Sequence, residues 1–275
     1  MRVTSREYKV IVDSSLFADL DAALSDIVDD IGNLARSLDL ECAGNFDATD
    51  PKERTILFLD TPDYTLRQNG LLFRQRVKRK SGATEYTLKC RTEDRYVAAG
   101  RDLKPGPKLQ HDCKFEEDIG VPFISRFSHS MTVSLDENEK LAGKKYPETL
   151  AVAAKLFPGL LTIRRDRLPC PPETVLAPVH DLKILERVFT GPTVHFPGGR
   201  GRSSSMPASM ALILWSKGKK GRILTAEFSF RYTDEKETFS LEVASAARRF
   251  FEGLQYQDWT RPEAITKTQY MYGGK

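Results

Sequence analysis

The stretch LLFRQRVKRK, residues 71–80, carries Leu71, Phe73 and Val77 on one side of an extended chain and Arg74, Arg76 and Lys78 on the other, because strand side chains alternate with a period of two. The same division recurs elsewhere. Ser5, Glu7 and Lys9 alternate with Tyr8, Val10 and Val12; Glu85, Thr87, Lys89 and Arg91 alternate with Tyr86, Leu88 and Cys90; Glu227, Ser229 and Arg231 alternate with Ala226, Phe228, Phe230 and Tyr232. Each strand has an apolar face and, behind it, a face of mixed charge. In an open sheet the charged face is simply wet. In a closed sheet, about eight strands leave room for side chains or one small ligand, and two like charges ~4 Å apart repel by ~1 kcal/mol in water and by several at an effective dielectric near 20. Periodicity alone leaves both arrangements open. The closed one demands counter-charges or an anion in the lumen.

The remaining chain supplies a strand near 7–12, then a helix in the stretch 14–40 with Leu16, Leu20, Leu24, Ile27, Ile31, Leu34 and Leu38 at spacings of three and four. Asp13, Ser14 or Ser15 is its expected cap, and Gly32 a point of weakness. RTILFLD reads as a strand, RQNG as a turn, and 71–91 as a hairpin turned by SGATE. The stretch 92–112 has Pro and Gly without a period and reads as a loop or insertion. Strands follow at KFEEDIG, LKILERVF, 211–215 and 223–232, with helices at 148–157 and 241–254 and a second insertion at 190–209, where Gly, Ser and Arg discourage packing. Residues 1–275 are expected to form one domain of the α+β class, an antiparallel β-barrel with flanking helices.

Composition narrows the function. A net charge of +4 is too mild to announce a nucleic-acid binder. The apolar runs are too short to cross a bilayer, and MRVTSREYKV offers no secretory signal, so a cytoplasmic protein is expected. Cys42, Cys90, Cys113 and Cys170 form no C-x-x-C pair, which argues against zinc and against a disulfide framework. His111, His129, His180 and His195 show no metal-ligand spacing. GGRGRSSS at 198–205 lacks the lysine of a phosphate loop, and Asp136, Glu137 and Glu139 lack the glycine of a calcium loop.

SREYKV, LDTPDYTLRQNGLLFRQRV, EYTLKCR, KFEEDI and AEFSFRY stand in an order and approximate spacing that resembles the CYTH proteins, or triphosphate tunnel metalloenzymes. The resemblance is scattered over most of the chain and is most specific from FLDTPDYTLRQNGLLFRQR to YTLK. It implies a tunnel of antiparallel strands that takes a triphosphate compound or polyphosphate with Mg²⁺ or Mn²⁺. It further implies Lys9, Arg74, Arg76 and Lys89 as phosphate ligands, with Arg91, Lys183 and Arg187 as further candidates, Glu7, Glu116 and Glu227 as metal ligands, and Glu7 and Lys89 as catalytic groups. Forked, always-charged guanidiniums suit phosphate oxygens.

The chain departs from the family pattern at two carboxylates. The opening E-x-E-x-K reads Ser5-Arg6-Glu7-Tyr8-Lys9, and the late E-x-E reads Glu227-Phe228-Ser229. Hard cations prefer carboxylate, phosphate and water oxygens, so fewer carboxylates weaken a metal site. Two readings result: a divergent triphosphate hydrolase, or a module that binds polyphosphate or nucleotide without turnover. Sequence leaves the organic part of the substrate, cyclase chemistry, metal number and oligomeric state open.

Overall fold

The computed structural model describes residues 1–136, 145–198, 205–219, 221–262 and 266–273. Its main sheet closes on itself. Nine strands form the ring: β1 (Ser5–Val12), β2 (Lys52–Asp60), β3 (Leu71–Lys78), β4 (Thr84–Thr92), β5 (His111–Gly120), β6 (Ile124–Leu135), β7 (Ile184–Phe196), β8 (Met206–Ser216) and β9 (Ile223–Thr233), in the order β2-β3-β4-β6-β5-β1-β9-β8-β7 and back to β2. Two short strands, Glu41–Ala43 and Ala177–Pro178, pair with β7 and β2. An all-antiparallel ring must have an even number of strands, because each step reverses direction. Nine can close only with a parallel pair, and β1 runs parallel to β5 with Glu7 opposite Asp118. The expected antiparallel ring is therefore interrupted once.

The apolar faces point outward. Tyr8, Val10 and Val12 of β1 and Phe228, Phe230 and Tyr232 of β9 are buried against α1 (Leu20–Ser37) and α2 (Leu241–Leu254), where Leu24, Ile27 and Ile31 meet Phe250 and Phe251. Each such large side chain contributes about 1.5–3 kcal/mol when fully buried. On another side Phe73, Tyr86, Leu88 and Val133 are covered by Leu150, Phe157 and Leu160. With these apolar sides spent on packing, the charged sides are left to the lumen, except at β2, where Ile56 and Phe58 share the inner face with Arg54 and form an apolar cluster with Ile184 and Trp215.

Several local expectations need correction. Asp13 caps a 3-10 turn, Ser14–Ala18, and α1 starts after Asp19, whose carboxylate accepts the Ala22 amide. It continues through Gly32, at which an added Cβ would meet open space. The stretch 92–112 is more ordered than a loop: Asp94 caps helix Arg95–Gly100, Ala98 and Leu103 are buried, and β5 begins at His111. The insertion at 190–209 shrinks likewise, since β7 runs to Phe196, β8 starts at Met206, and Val194, Phe196 and Ala208 are buried. Residues 199–204, with most of GGRGRSSS, and the acidic positions 137 and 139 lie outside the described residues. The helix expected at 148–157 is one turn, Leu150–Ala153. The strand β6 has no counterpart in the sequence reading. The hairpin of β3 and β4 pairs Leu71 with Cys90 through Val77 with Thr84.

Candidate functional site: the charged lumen

Cross-strand register fixes which side chains share the inner face, because Cα partners point the same way. Glu7 lies opposite Arg231 and Asp118, Lys9 opposite Ser229, Arg74 opposite Thr87 and Phe58, and Arg76 opposite Glu85. Lys89 and Arg91 pair with Ser130 and Ser128, and Glu116 with Ser128. Glu7, Lys9, Arg74, Arg76, Lys89, Arg91, Glu116 and Glu227 thus all line the lumen.

Lys183 and Arg187 do not join them. Arg187 shares the outer face of β7 with Phe189, its guanidinium carbon 5.9 Å from that ring's centroid, and Lys183 is exposed just before β7. Glu186, opposite Arg54 and Trp215, is the charged residue of this strand that faces inward.

Two carboxylates that the sequence reading did not single out organise the cations. Asp118 accepts from Lys9, from Arg91, from Ser128, and from Lys89 at 3.2 Å. Burial alone would raise its carboxyl, but Arg91, Lys89 and Lys9 hold it well below the usual range. Its sequence signal was its place two residues after Glu116, hence on the same face. Glu186 pairs with Arg54 and Arg76, each at 3.4 Å, and accepts the Trp215 indole N–H at 3.0 Å. Burial opposes its ionisation, yet Arg76, Lys267, Trp215 and Arg54 bring it down to about 2.

Arg74 is different. Among the described residues it has no carboxylate partner, and its Nε, like that of Arg76, is buried there without a hydrogen bond; burial, reinforced by Arg76, lowers its guanidinium to about 9. It still carries its charge at neutral pH. A charge so far withdrawn from water and without a carboxylate beside it is costly, so Arg74 marks a place where an anion would lower the energy of the lumen.

The expected metal ligands are held by cations. Glu7 sits 2.7 Å from Lys9, Glu227 2.9 Å from Lys267, and Glu116 accepts from Ser5 Oγ at 3.0 Å with Arg231 at 3.6 Å. Among the described residues no three carboxylate, histidine or cysteine side chains gather into a set that could hold an ion. Ser5, where the family pattern has glutamate, is here a donor to Glu116. The residues present therefore do not fit a ready-made Mg²⁺ or Mn²⁺ site.

A closed strand ring with a charged lumen and an outer apolar jacket is a tunnel architecture of the kind that the sequence resemblance implied. No family model matches the chain, and no curated protein does. Among solved structures, a candidate adenylate cyclase of Bacillus halodurans is 13% identical over 99% of both chains with a TM-score of 0.42. A Hippeastrum protein described as a candidate adenylyl cyclase with a dominant triphosphatase activity is 13% identical over 98% of this chain and 95% of its own, with a TM-score of 0.43. One of Vibrio parahaemolyticus, also a candidate adenylate cyclase, is 10% identical over 99% and 100%, at 0.38. Among the described residues no helix is long and apolar enough to cross a membrane.

Proposed function

We propose that the lumen binds a triphosphate compound or short polyphosphate. The observation that carries this reading is Arg74, a half-buried guanidinium whose Nε is buried and has no partner among the described residues, flanked on the inner face by Arg76 and Lys89. An oligophosphate fits because it presents several negative oxygens in a row, and forked guanidiniums bind them in pairs. Lys9 and Arg91, already on Asp118, can turn toward such a ligand at the cost of that carboxylate's contacts. Binding without turnover is the reading the geometry supports best, since among the described residues no three metal-ligating side chains gather into one set.

Hydrolysis assisted by Mg²⁺ or Mn²⁺ is the second reading. It is favoured by one feature, that Glu7, Glu116 and Glu227 all face the lumen, although each is engaged by a neighbouring side chain. Phosphorus NMR of tripolyphosphate with the full chain, in EDTA, Mg²⁺ and Mn²⁺, separates the two. Shifted or broadened lines without product are expected. Accumulation of pyrophosphate and orthophosphate would make the chain a hydrolase, and unchanged lines in every condition would sink the oligophosphate reading itself.

A further inference from the structure

Glu227 takes its counter-charge from a distant part of the chain. Its partner, Lys267, begins the helix Lys267–Met271 near the C-terminus and enters the lumen from that helix. The ammonium lies 2.9 Å from Glu227 Oε1 and 5.1 Å from the centroid of Trp215, and the two charged side chains are only 12% and 7% exposed. Trp215 in turn donates to Glu186, so Lys267 stands between the two carboxylates and helps hold Glu186 ionised.

The segment that delivers it is anchored on all sides. Thr266 and Gln269 close a reciprocal capping box at the helix start. Met271 and Tyr272 are buried with Phe58, Ile184 and Trp215. The Tyr272 hydroxyl donates to Asp60 at 3.1 Å, and Arg67 lies over the Tyr272 ring at 4.6 Å while donating to its carbonyl. A cation placed this firmly need not be recruited from solution or stripped of a hydration shell, as a divalent ion must be.

We propose that Lys267 supplies at Glu227 the positive charge that a divalent metal would otherwise bring, so that the lumen binds its phosphate compound without a metal ion. This rests on the oligophosphate reading and deepens it. With Lys267 removed, Glu227 would face the ligand as an uncompensated like charge, and a metal ion bridging Glu227 to phosphate oxygens would become useful.

Calorimetric titration of the full chain with tripolyphosphate, in EDTA and in Mg²⁺, tests it with Lys267→Met and Lys267→Gln beside the parent. The parent should bind with affinities within about twofold of each other in the two conditions. Each variant should lose at least about tenfold in EDTA, the size expected when a close pair of charges is uncovered, and regain most of it in Mg²⁺. Parent binding that collapses in EDTA would overturn the role of Lys267 and leave the oligophosphate site standing. Variants that bind like the parent in EDTA would overturn it too. No parent binding in either condition would overturn the site reading beneath it. If a variant fails to fold, the parent's own EDTA comparison still decides.

Discussion

Arg74 and Arg76 stand two residues apart on the inner face of β3, each with a buried Nε that has no partner among the described residues, but only Arg76 reaches a carboxylate there, that of Glu186, 3.4 Å away. A guanidinium kept in that state for structure alone would be a liability. Arg74→Met should therefore leave thermal stability unchanged or raise it by up to ~1 kcal/mol, while weakening tripolyphosphate binding by at least about tenfold. A stability loss with binding intact would make Arg74 a packing residue.

Glu186 should behave in the opposite way. Its removal in Glu186→Gln leaves Arg54 and Arg76 without their shared carboxylate, a loss expected to cost about 3 kcal/mol. The linkage with pH has a definite sign. Because the folded carboxyl lies near 2 against an ordinary 4.5, its contribution is fully present above about 4.5 and is lost as the pH falls toward 2. Thermal unfolding of parent and variant between those pH values should converge; parallel curves would refute the assignment.

Lys89 is pulled down to about 8 by burial, against the attraction of Asp118 and with help from Arg91 and Lys9. Its folded value lies below its ordinary 10.5, so the unfolded chain binds the extra proton between about 8 and 10.5 and this group's penalty on stability is relieved as the pH rises through that window. Carbon NMR of the lysine ε-methylene, assigned with Lys89→Met, should show a midpoint near 8. Asp118→Asn should move that midpoint lower still, and oligophosphate should move it higher. A midpoint near 10.5 would remove Lys89 from the desolvated cations.

Tyr272→Phe deletes the hydroxyl that donates to Asp60 and leaves that carboxylate its amide donors Thr61, Leu66 and Arg67. A loss of about 1 kcal/mol is expected. The effect should be local. Tryptic cleavage after Lys267, read by mass spectrometry, should quicken while global unfolding moves little; equal cleavage rates would mean that the segment is held by its apolar contacts alone.

The alternation of apolar and charged residues fixed the outer and inner faces of β1, β3, β4 and β9, and the resemblance placed eight of the named residues on one surface. It misled at β7. There Glu186 and Arg187 put a charge on each face, and a one-residue change of phase exchanges inside and outside. The strand β6 does alternate, with Ser128, Ser130, Thr132 and Ser134 on one side and Phe127, Met131, Val133 and Leu135 on the other, but its inner face is mostly hydroxyls and lacks the run of charge that marked the other strands. Capping also misled, since Asp13 and Asp19 are equally good caps until the packing of Leu24 and Ile27 decides where the long helix starts.

Strand faces are local properties, written in the order of neighbouring side chains, and the sequence by itself determined them. Ring closure, the parallel step between β1 and β5, the convergence of Lys9, Lys89 and Arg91 on Asp118, and the arrival of Lys267 at Glu227 were decided only by the tertiary structure. Each of these joins residues far apart in the chain, and a charge's partner depends on distance in space, which no spacing along the sequence encodes.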